Sequence, residues 1–192
     1  MLPLVLASSS PYRRELLARL RRPFEWAAPA IDESRREGET ASDMVRRLAQ
    51  EKARVLAGRY PRHLIIGSDQ AAVLGDQILG KPHSHERAHA QLCAASGNSV
   101  TFLTGLALLD SERDTCQVDC IAYTVHFRQL SATQIDRYLR AEQPFDCAGS
   151  FKAEGLGISL FRGTEGSDVT SLIGLPLIRL VDMLQQAGIE VP

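Results

Sequence analysis

The sequence predicts an α/β fold, because short apolar runs typical of buried strands alternate with helices that have one apolar face. Residues 4–7 form the first apolar run, and a serine-rich turn leads from it into a helix that begins at Pro11. A second run, 63–66, follows a clearly amphipathic helix. No linker, repeat or low-complexity tract is visible, so we expect residues 1–192 to form a single domain.

The other elements follow from periodicity and from capping and turn residues. Gly75 and Asp76 indicate a hairpin turn, Gly97 ends a helix, and Ser131 with Gln134 forms a capping box that begins one. Strands are expected at 24–29, 63–66, 71–74, 77–79, 99–109, 117–127 and 158–161. Helices are expected at 11–22, 42–58, 84–96, 131–141 and 176–188, with a polar loop at 162–168.

Composition narrows the classes of function. The net charge is −1, from 22 basic and 23 acidic residues, so the basic stripe that nucleic-acid binding requires is not expected. The apolar stretch that includes this first run spans only residues 2–7, which is too short for a signal peptide or a membrane span. We therefore expect a cytoplasmic protein that binds neither nucleic acid nor membrane. Four cysteines match no zinc spacing and are expected to be reduced, packed thiols: Cys93, Cys116, Cys120 and Cys147.

The first strand–turn–helix has an unusual charge pattern. Ser10 is the expected N-cap, yet Arg13 and Arg14 occupy the first helical turn, where acidic residues are favoured by the helix dipole. A phosphate would be bound there by backbone N–H groups, serine hydroxyls and two guanidinium groups. The alternative is that both arginines extend into solvent.

Further charged residues are candidates for the same site. Lys52 falls on the apolar stripe of its helix, so its ammonium must either extend to the edge of the buried face or meet an anion. Asp32 and Glu33 follow a strand and are either ligands of a divalent cation or solvated loop acids. Asp69 follows the 63–66 strand, where ligands bind in open α/β sheets, and is a candidate general base or metal ligand.

Two segments in the second half of the chain complete the candidate set. Residues 75–81 match the first seven positions of a P-loop, but Pro82 stands where its Ser or Thr would be, so we retain Lys81 only as a cationic group near the site. The glycine-punctuated segment 147–157, which includes Glu154, is typical either of backbone close to a ligand or of a flexible loop.

Taken together, these motifs resemble those of the Maf-type nucleotide pyrophosphatase family over essentially the whole chain. The motifs are 6–11 with the paired arginines, the 32–33 turn, 51–53, 67–69, 80–82, 148–151 leading to 155–157, and 174–176. The resemblance implies an inosine-triphosphate-pyrophosphatase-like mixed sheet with flanking helices, in two lobes around a cleft, and often a homodimer. It also implies hydrolysis of a nucleoside triphosphate to monophosphate and pyrophosphate with a divalent cation, Mg or Mn.

The resemblance also implies roles for individual residues. Phosphate contacts are implied for Ser8, Arg13, Arg14, Lys52 and Lys81. Glu33 and Asp69 are the implied metal ligands, and Asp69 is the implied proton acceptor for the attacking water.

Three residues at the base-binding end resemble the 7-methyl-GTP pyrophosphatase branch of the family. They are Tyr12, Gln70 and Glu154. A methylated guanine is positively charged, so Tyr12 could stack on it by cation–π attraction, and Glu154 could accept hydrogen bonds from its N–H groups. Two alternatives are a pyrophosphatase for dTTP, UTP or other modified nucleotides, and a nucleotide-sensing regulator of cell division.

Overall fold

A computed structural model describes residues 2–191, and within this range a mixed sheet combines with α-helices. The sheet is built from seven strands: β1 Leu4–Ala7, β2 Phe24–Ala27, β3 Leu64–Leu74, β4 Gln77–Leu79, β5 Ser99–Asp110, β6 Thr115–Phe127 and β7 Phe161–Glu165. The α-helices are α1 Pro11–Ala18, α2 Ala41–Arg54, α3 His85–Ala95, α4 Ala132–Glu142, α5 Val169–Ile173 and α6 Leu177–Gln186.

Parallel and antiparallel pairs both occur in the sheet. The strand order is β2-β1-β3-β5-β6-β7, and β4 pairs with β3 outside this path. β1 is parallel to both β2 and β3, whereas β4 is antiparallel to β3 and β7 is antiparallel to β6. The chain forms two compact units, and β3, β5 and β6 each have residues in both of them.

The first unit comprises the chain up to Gln70, Thr104–Ile121, and the chain from Asp168 onward. Alternate residues of β1 face opposite sides of the sheet and enter two different hydrophobic clusters. Leu6 packs in one cluster with residues of α1 and α6, and Val5 packs in the other with Ala53 of α2. The two sides of the sheet are therefore covered by different helices, which is the layered arrangement typical of α/β proteins.

Two glycines bring α2 close to the sheet in this unit. A Cβ atom at Gly67 of β3 would overlap the carbonyl oxygen of Ala49, and one at Gly105 of β5 would overlap that of Val45. Helix and strands can approach this closely only because these positions carry no side chain. The contact at Gly67 fixes the distance between the last turns of α2 and the middle of β3.

The second unit comprises Ala71–Leu103 and Ala122–Ser167. Four phenylalanine rings, Phe102, Phe127, Phe151 and Phe161, form edge-to-face pairs with centroids 4.9 to 5.5 Å apart. This geometry is favoured by the quadrupoles of the rings. The cluster secures the residues that begin the glycine-punctuated segment against β5 and β6.

Most predicted elements are confirmed, including the Ser10, Ser84 and Ser131 caps and the capping box. Two predictions were wrong, one on the end of β3 and one on residues 156–165. β3 does not stop at residue 66 but runs through Asp69 to Leu74, because it lies between β1 and β5 in the sheet and its last three residues also pair with β4. Residues 156–160 form a 3₁₀-helix, and the strand lies at Phe161–Glu165, where we expected a polar loop. Polar residues are accommodated there because this strand ends the sheet order and four of its five residues are exposed.

Smaller differences concern helix ends and thiols. α1 ends at Ala18, before the predicted end, and α2 begins at Ala41 with Thr40 as its N-cap. The short helix α5, capped by Asp168, was not predicted. The four cysteines are free, as expected, but Cys93 is exposed and not packed. Burial raises the pKa of Cys147 to about 12, so this thiol is poorly nucleophilic.

Candidate active site

In the first unit, the ammonium of a buried lysine contacts two carboxylates. The Nζ of Lys52 is 2.6 Å from Asp69 Oδ1 and 2.7 Å from Glu33 Oε1. Only 7% of the Lys52 side chain is exposed, against 13% for Asp69 and 60% for Glu33. The predicted encounter of Lys52 with an anion is therefore present within the protein itself, and the cluster opens to solvent on the Glu33 side.

Helix packing explains why Lys52 is buried. Met44, Val45, Leu48 and Ala49 form the apolar stripe of α2 together with Lys52. The close contact at Gly67 brings the end of this stripe onto β3, two residues before Asp69. An unpaired ammonium would be costly in this position, and the two carboxylates offset that cost.

Asp69 lies inside a strand, yet it is still at the edge of the parallel part of the sheet. β1 ends at Ala7, which is in register with Gly67. Asp69 is thus two residues beyond the carboxyl end of its parallel neighbour. The prediction that it follows the end of its own strand was wrong, but the loop after β1 begins beside it.

That loop is the serine-rich turn. Ser8 is buried, and its Oγ accepts a hydrogen bond of 3.1 Å from the N–H of Ser10. The Ser10 side chain in turn accepts the N–H of Arg13 at 3.4 Å and caps α1. The hydroxyls therefore hold the turn in a fixed shape at the start of the helix, with Ser10 as the predicted N-cap.

The two arginines of α1 behave differently. Arg13 donates from Nε to the carbonyl oxygen of Gly174 at 2.8 Å, and burial lowers its pKa while the negative charges of Asp69 and Glu33 oppose that change. Arg14 has its guanidinium carbon 4.3 Å from the centre of the Trp26 ring, a cation–π contact. Arg13 is thus electrostatically coupled to the Lys52 cluster, whereas Arg14 contacts an aromatic side chain of β2.

The carbonyl of Gly174 was not recognised as part of the site from the sequence. It accepts a second hydrogen bond, at 3.0 Å, from the buried hydroxyl of Ser68, the residue before Asp69. Gly174 has a φ of +125°, which favours glycine. The signal was present in the Gly174-Leu175-Pro176 motif, but its partners are distant in sequence.

The side-chain amide of Gln70 is committed to interactions within the first unit. Its Nε2 is 2.7 Å from Ser171 O, 3.0 Å from Thr104 Oγ1 and 3.1 Å from Leu172 O. These contacts tie β3 to α5. Tyr12, the second predicted specificity residue of this unit, is a partly buried residue at the start of α1.

Lys81 and Glu154 lie in the second unit. Lys81 is an exposed residue after β4, and Glu154 is exposed between the 3₁₀-helix Ala148–Ser150 and the 3₁₀-helix at 156–160. The backbone around Glu154 is held by Glu142, whose Oε2 accepts the N–H of Leu156 at 2.7 Å. The Tyr138 hydroxyl accepts the N–H of Lys152 at 3.0 Å, which secures the other side of the same segment.

The two acidic residues near Lys52 fit a hard divalent cation held partly by its substrate. Mg²⁺ is typically bound by one or two carboxylates together with phosphate oxygens, and Glu33 and Asp69 are two carboxylates that both contact the Lys52 ammonium. Within residues 2–191 no group of three or more His, Cys, Asp or Glu residues is arranged to hold a metal ion. These two carboxylates would therefore hold a cation only together with further ligands, such as phosphate oxygens and water.

The fold and the site together define an α/β protein in which a serine-rich turn, ordered by its own hydroxyls, precedes α1 and a lysine contacts two carboxylates. The chain belongs to the Maf family, since the model of that family, described as Maf-like protein, matches residues 3–187. This confirms the family resemblance predicted from the motifs.

Named relatives extend over nearly the same length. A 7-methyl-GTP pyrophosphatase of Pseudomonas savastanoi pv. phaseolicola is 72% identical over 98% of both chains. Proteins with the same name from Pseudomonas aeruginosa and Nitrosococcus oceani are 68% and 56% identical, over 98% of this chain and 98% and 94% of theirs.

A solved structure confirms the predicted fold class independently. The Staphylococcus aureus Ham1 protein is similar with a TM-score of 0.55 and 13% identity, over 96% of this chain and 99% of that one. At this identity the similarity concerns the fold alone. None of the helices described is both long and apolar enough to cross a membrane.

Proposed function

We propose that the chain hydrolyses 7-methyl-GTP to 7-methyl-GMP and pyrophosphate. The observation that carries the proposal is the contact of Lys52 with both Asp69 and Glu33 beside the turn that holds Arg13. Phosphoryl transfer is catalysed mainly by positioning and by neutralising charge on oxygen atoms, and this cluster offers both. The names of the relatives, at 56 to 72% identity, supply the substrate.

In the proposed reaction Asp69 is the general base. Its carboxylate takes a proton from a water molecule that attacks the α-phosphorus, the bond from that phosphorus to the bridging oxygen breaks, and pyrophosphate leaves. Lys52 orients the carboxylate through the 2.6 Å contact. Because an ammonium has three protons, Lys52 has one left to donate to a phosphate oxygen after contacting both carboxylates.

The remaining cationic groups would bind the phosphate chain. The proposed contacts are Ser8, Arg13, Arg14 and Lys81. Glu33 and Asp69 would hold a divalent cation, Mg²⁺ or Mn²⁺, which when bound supplies further neutralisation of the phosphate oxygens.

Base selection is proposed to depend on Tyr12, Gln70 and Glu154. Since the amide group of Gln70 donates within the protein, this residue would offer its carbonyl oxygen, which suits the N–H donors of guanine. Glu154 carries the negative charge that a methylated, positively charged ring requires, and Tyr12 offers a π-face.

A single assay tests the function. Pyrophosphate release is measured with 7-methyl-GTP, GTP, dTTP, UTP and CTP, each with magnesium and with chelator. We expect magnesium-dependent release that is fastest with 7-methyl-GTP. A preference for dTTP or UTP would contradict the substrate, and tight nucleotide binding without any release would instead support a sensing protein.

A further inference from the structure

We propose that Arg47 is a positioning residue that holds the Glu33 loop, defined here as residues 32–39, against α2 so that Glu33 meets Lys52. This inference rests on the proposed function for the catalytic role of Glu33. It assigns a task to a residue that none of the recognised motifs includes.

Each nitrogen atom of the Arg47 guanidinium forms a hydrogen bond, either to the Glu33 loop or to α2. Its Nε and NH2 atoms bind the two oxygens of Glu39 at 2.5 and 2.8 Å, a bidentate pair. Its NH2 also donates to the carbonyl oxygen of Ser34 at 3.1 Å, one residue after Glu33. Its NH1 is 3.1 Å from Glu51, one residue before Lys52.

The Glu33 loop is closed on itself around the carboxylate of Glu39. The Oε2 atom of Glu39 accepts the N–H of Arg36 at 3.1 Å, and its main-chain oxygen accepts two hydrogen bonds from Arg35 at 2.6 and 2.9 Å. Arg36 also reaches Glu51 at 2.9 Å. Although the loop has no regular secondary structure, ionic contacts attach it to α2.

Burial distinguishes this pair from an ordinary surface ion pair. Only 13% of the Arg47 side chain and 9% of the Glu39 side chain are exposed, although the loop itself is largely exposed. Exposed ion pairs contribute little, but a bidentate pair that is mostly shielded from water fixes geometry. Arg47 and Lys52 lie on the same helix, so one rigid element holds both ends of the contact.

The first test measures the loop without using activity. Hydrogen–deuterium exchange is followed for peptides covering residues 33–39 in the wild type, Arg47→Gln and Arg54→Gln. Arg54 is a matched control, since it lies on the same helix and pairs with exposed Asp114 at 2.8 Å. We expect at least tenfold faster exchange of the Arg36 and Glu39 amides in R47Q only. Unchanged exchange in R47Q, or equal acceleration in R54Q, would overturn the proposal.

The second test is a kinetic double-mutant cycle with Arg47→Gln and Glu33→Gln. If Arg47 acts through Glu33, R47Q should lower kcat about tenfold in the wild type and at most twofold in the E33Q background. A purely structural contribution would lower kcat by the same factor in both backgrounds, and that result would contradict the inference. Arg47→Lys should recover part of the loss, because lysine keeps the charge but not the fork.

The two proposals can fail separately. If the wild type releases no pyrophosphate from any nucleotide, the proposed function fails, while the exchange measurement still decides whether Arg47 fastens the loop. If the wild type is active and the exchange of residues 33–39 does not respond to R47Q, the positioning role alone is wrong.

Discussion

The Nε atom of Arg13 donates a 2.8 Å hydrogen bond to the carbonyl oxygen of Gly174, across 161 positions of sequence. Ser68, next to the proposed base, donates to the same oxygen at 3.0 Å. One main-chain carbonyl thus accepts hydrogen bonds from a residue of α1 and from the residue before the proposed base. The backbone conformation of Gly174 therefore contributes to the geometry of the candidate site.

Gly174→Ala should destabilise the protein and weaken nucleotide binding. The φ of +125° is unfavourable for alanine, and the added Cβ would lie 3.4 Å from Arg13 Nε. We expect the free energy of unfolding to fall by about 1–3 kcal/mol, measured by urea denaturation. Gly58→Ala is the control, because nothing lies within 4 Å of a Cβ there. Equal stability of the two variants would contradict the prediction.

Asp69→Asn should abolish turnover while nucleotide binding is retained. The amide cannot accept the proton of the attacking water, so we expect kcat to fall by about 10²- to 10⁴-fold. Binding is measured by calorimetry and kcat by pyrophosphate release. Asp76→Asn, in the exposed β3–β4 turn, should keep wild-type kinetics. Near-normal turnover of D69N would show that Asp69 is not the base.

Acid stability should depend on Glu39. The hydrogen bonds and the charge of Arg47 lower the pKa of Glu39 from 4.5 to about 2 in the folded state. Because the folded pKa is depressed, this contribution to stability is fully present above pH 4.5 and is lost as the pH falls through about 2.

Urea denaturation of wild type and Glu39→Gln at several pH values checks this expectation. The stability difference between the two proteins should be largest above pH 4.5 and should shrink steadily toward pH 2. Glu15→Gln is the control, since Glu15 is 77% exposed and 3.9 Å from Arg19. A difference that stays constant over this pH range would contradict the assignment.

Glu154→Gln should reduce the preference for the methylated base. The substitution removes the negative charge proposed to face the charged ring, so the ratio of kcat/KM for 7-methyl-GTP to that for GTP should fall about tenfold. Glu165→Gln, at an 82% exposed position on β7, should leave the ratio unchanged. An unaltered ratio in E154Q would remove Glu154 from the specificity set.

Local patterns predicted the fold well. Caps such as Ser10 and Ser131 satisfy helix ends within four residues, so their signals are complete in the sequence. Lys52 was recognisable because a charged side chain on the apolar stripe of a helix must either be paired or reach solvent. In the structure it is buried and paired. The continuity of β3 through Asp69 was missed, because it depends on neighbouring strands that are distant in sequence and not on the strand's own composition.

Long-range partners could not be predicted. Arg13 and Arg14 are equivalent in sequence, but one meets a carbonyl near the end of the chain and the other an exposed tryptophan. The ionic contacts of Arg47 were also not anticipated, since charged residues on a helix are usually solvated. The residues with proposed chemical roles were therefore easier to recognise in the sequence than the residues that hold them in position.

Gly67 and Gly105 have a consequence for protein engineering. Because carbonyl oxygens of α2 fill the space above these glycines, the close approach to the sheet of the helix that carries Lys52 requires that both positions lack a side chain. The outer surface of α2 is then free for changes in charge or solubility at positions such as Arg46 and Arg54, with the lysine left in place. The same feature forbids the commonest stabilising substitution, glycine to alanine, at these two positions.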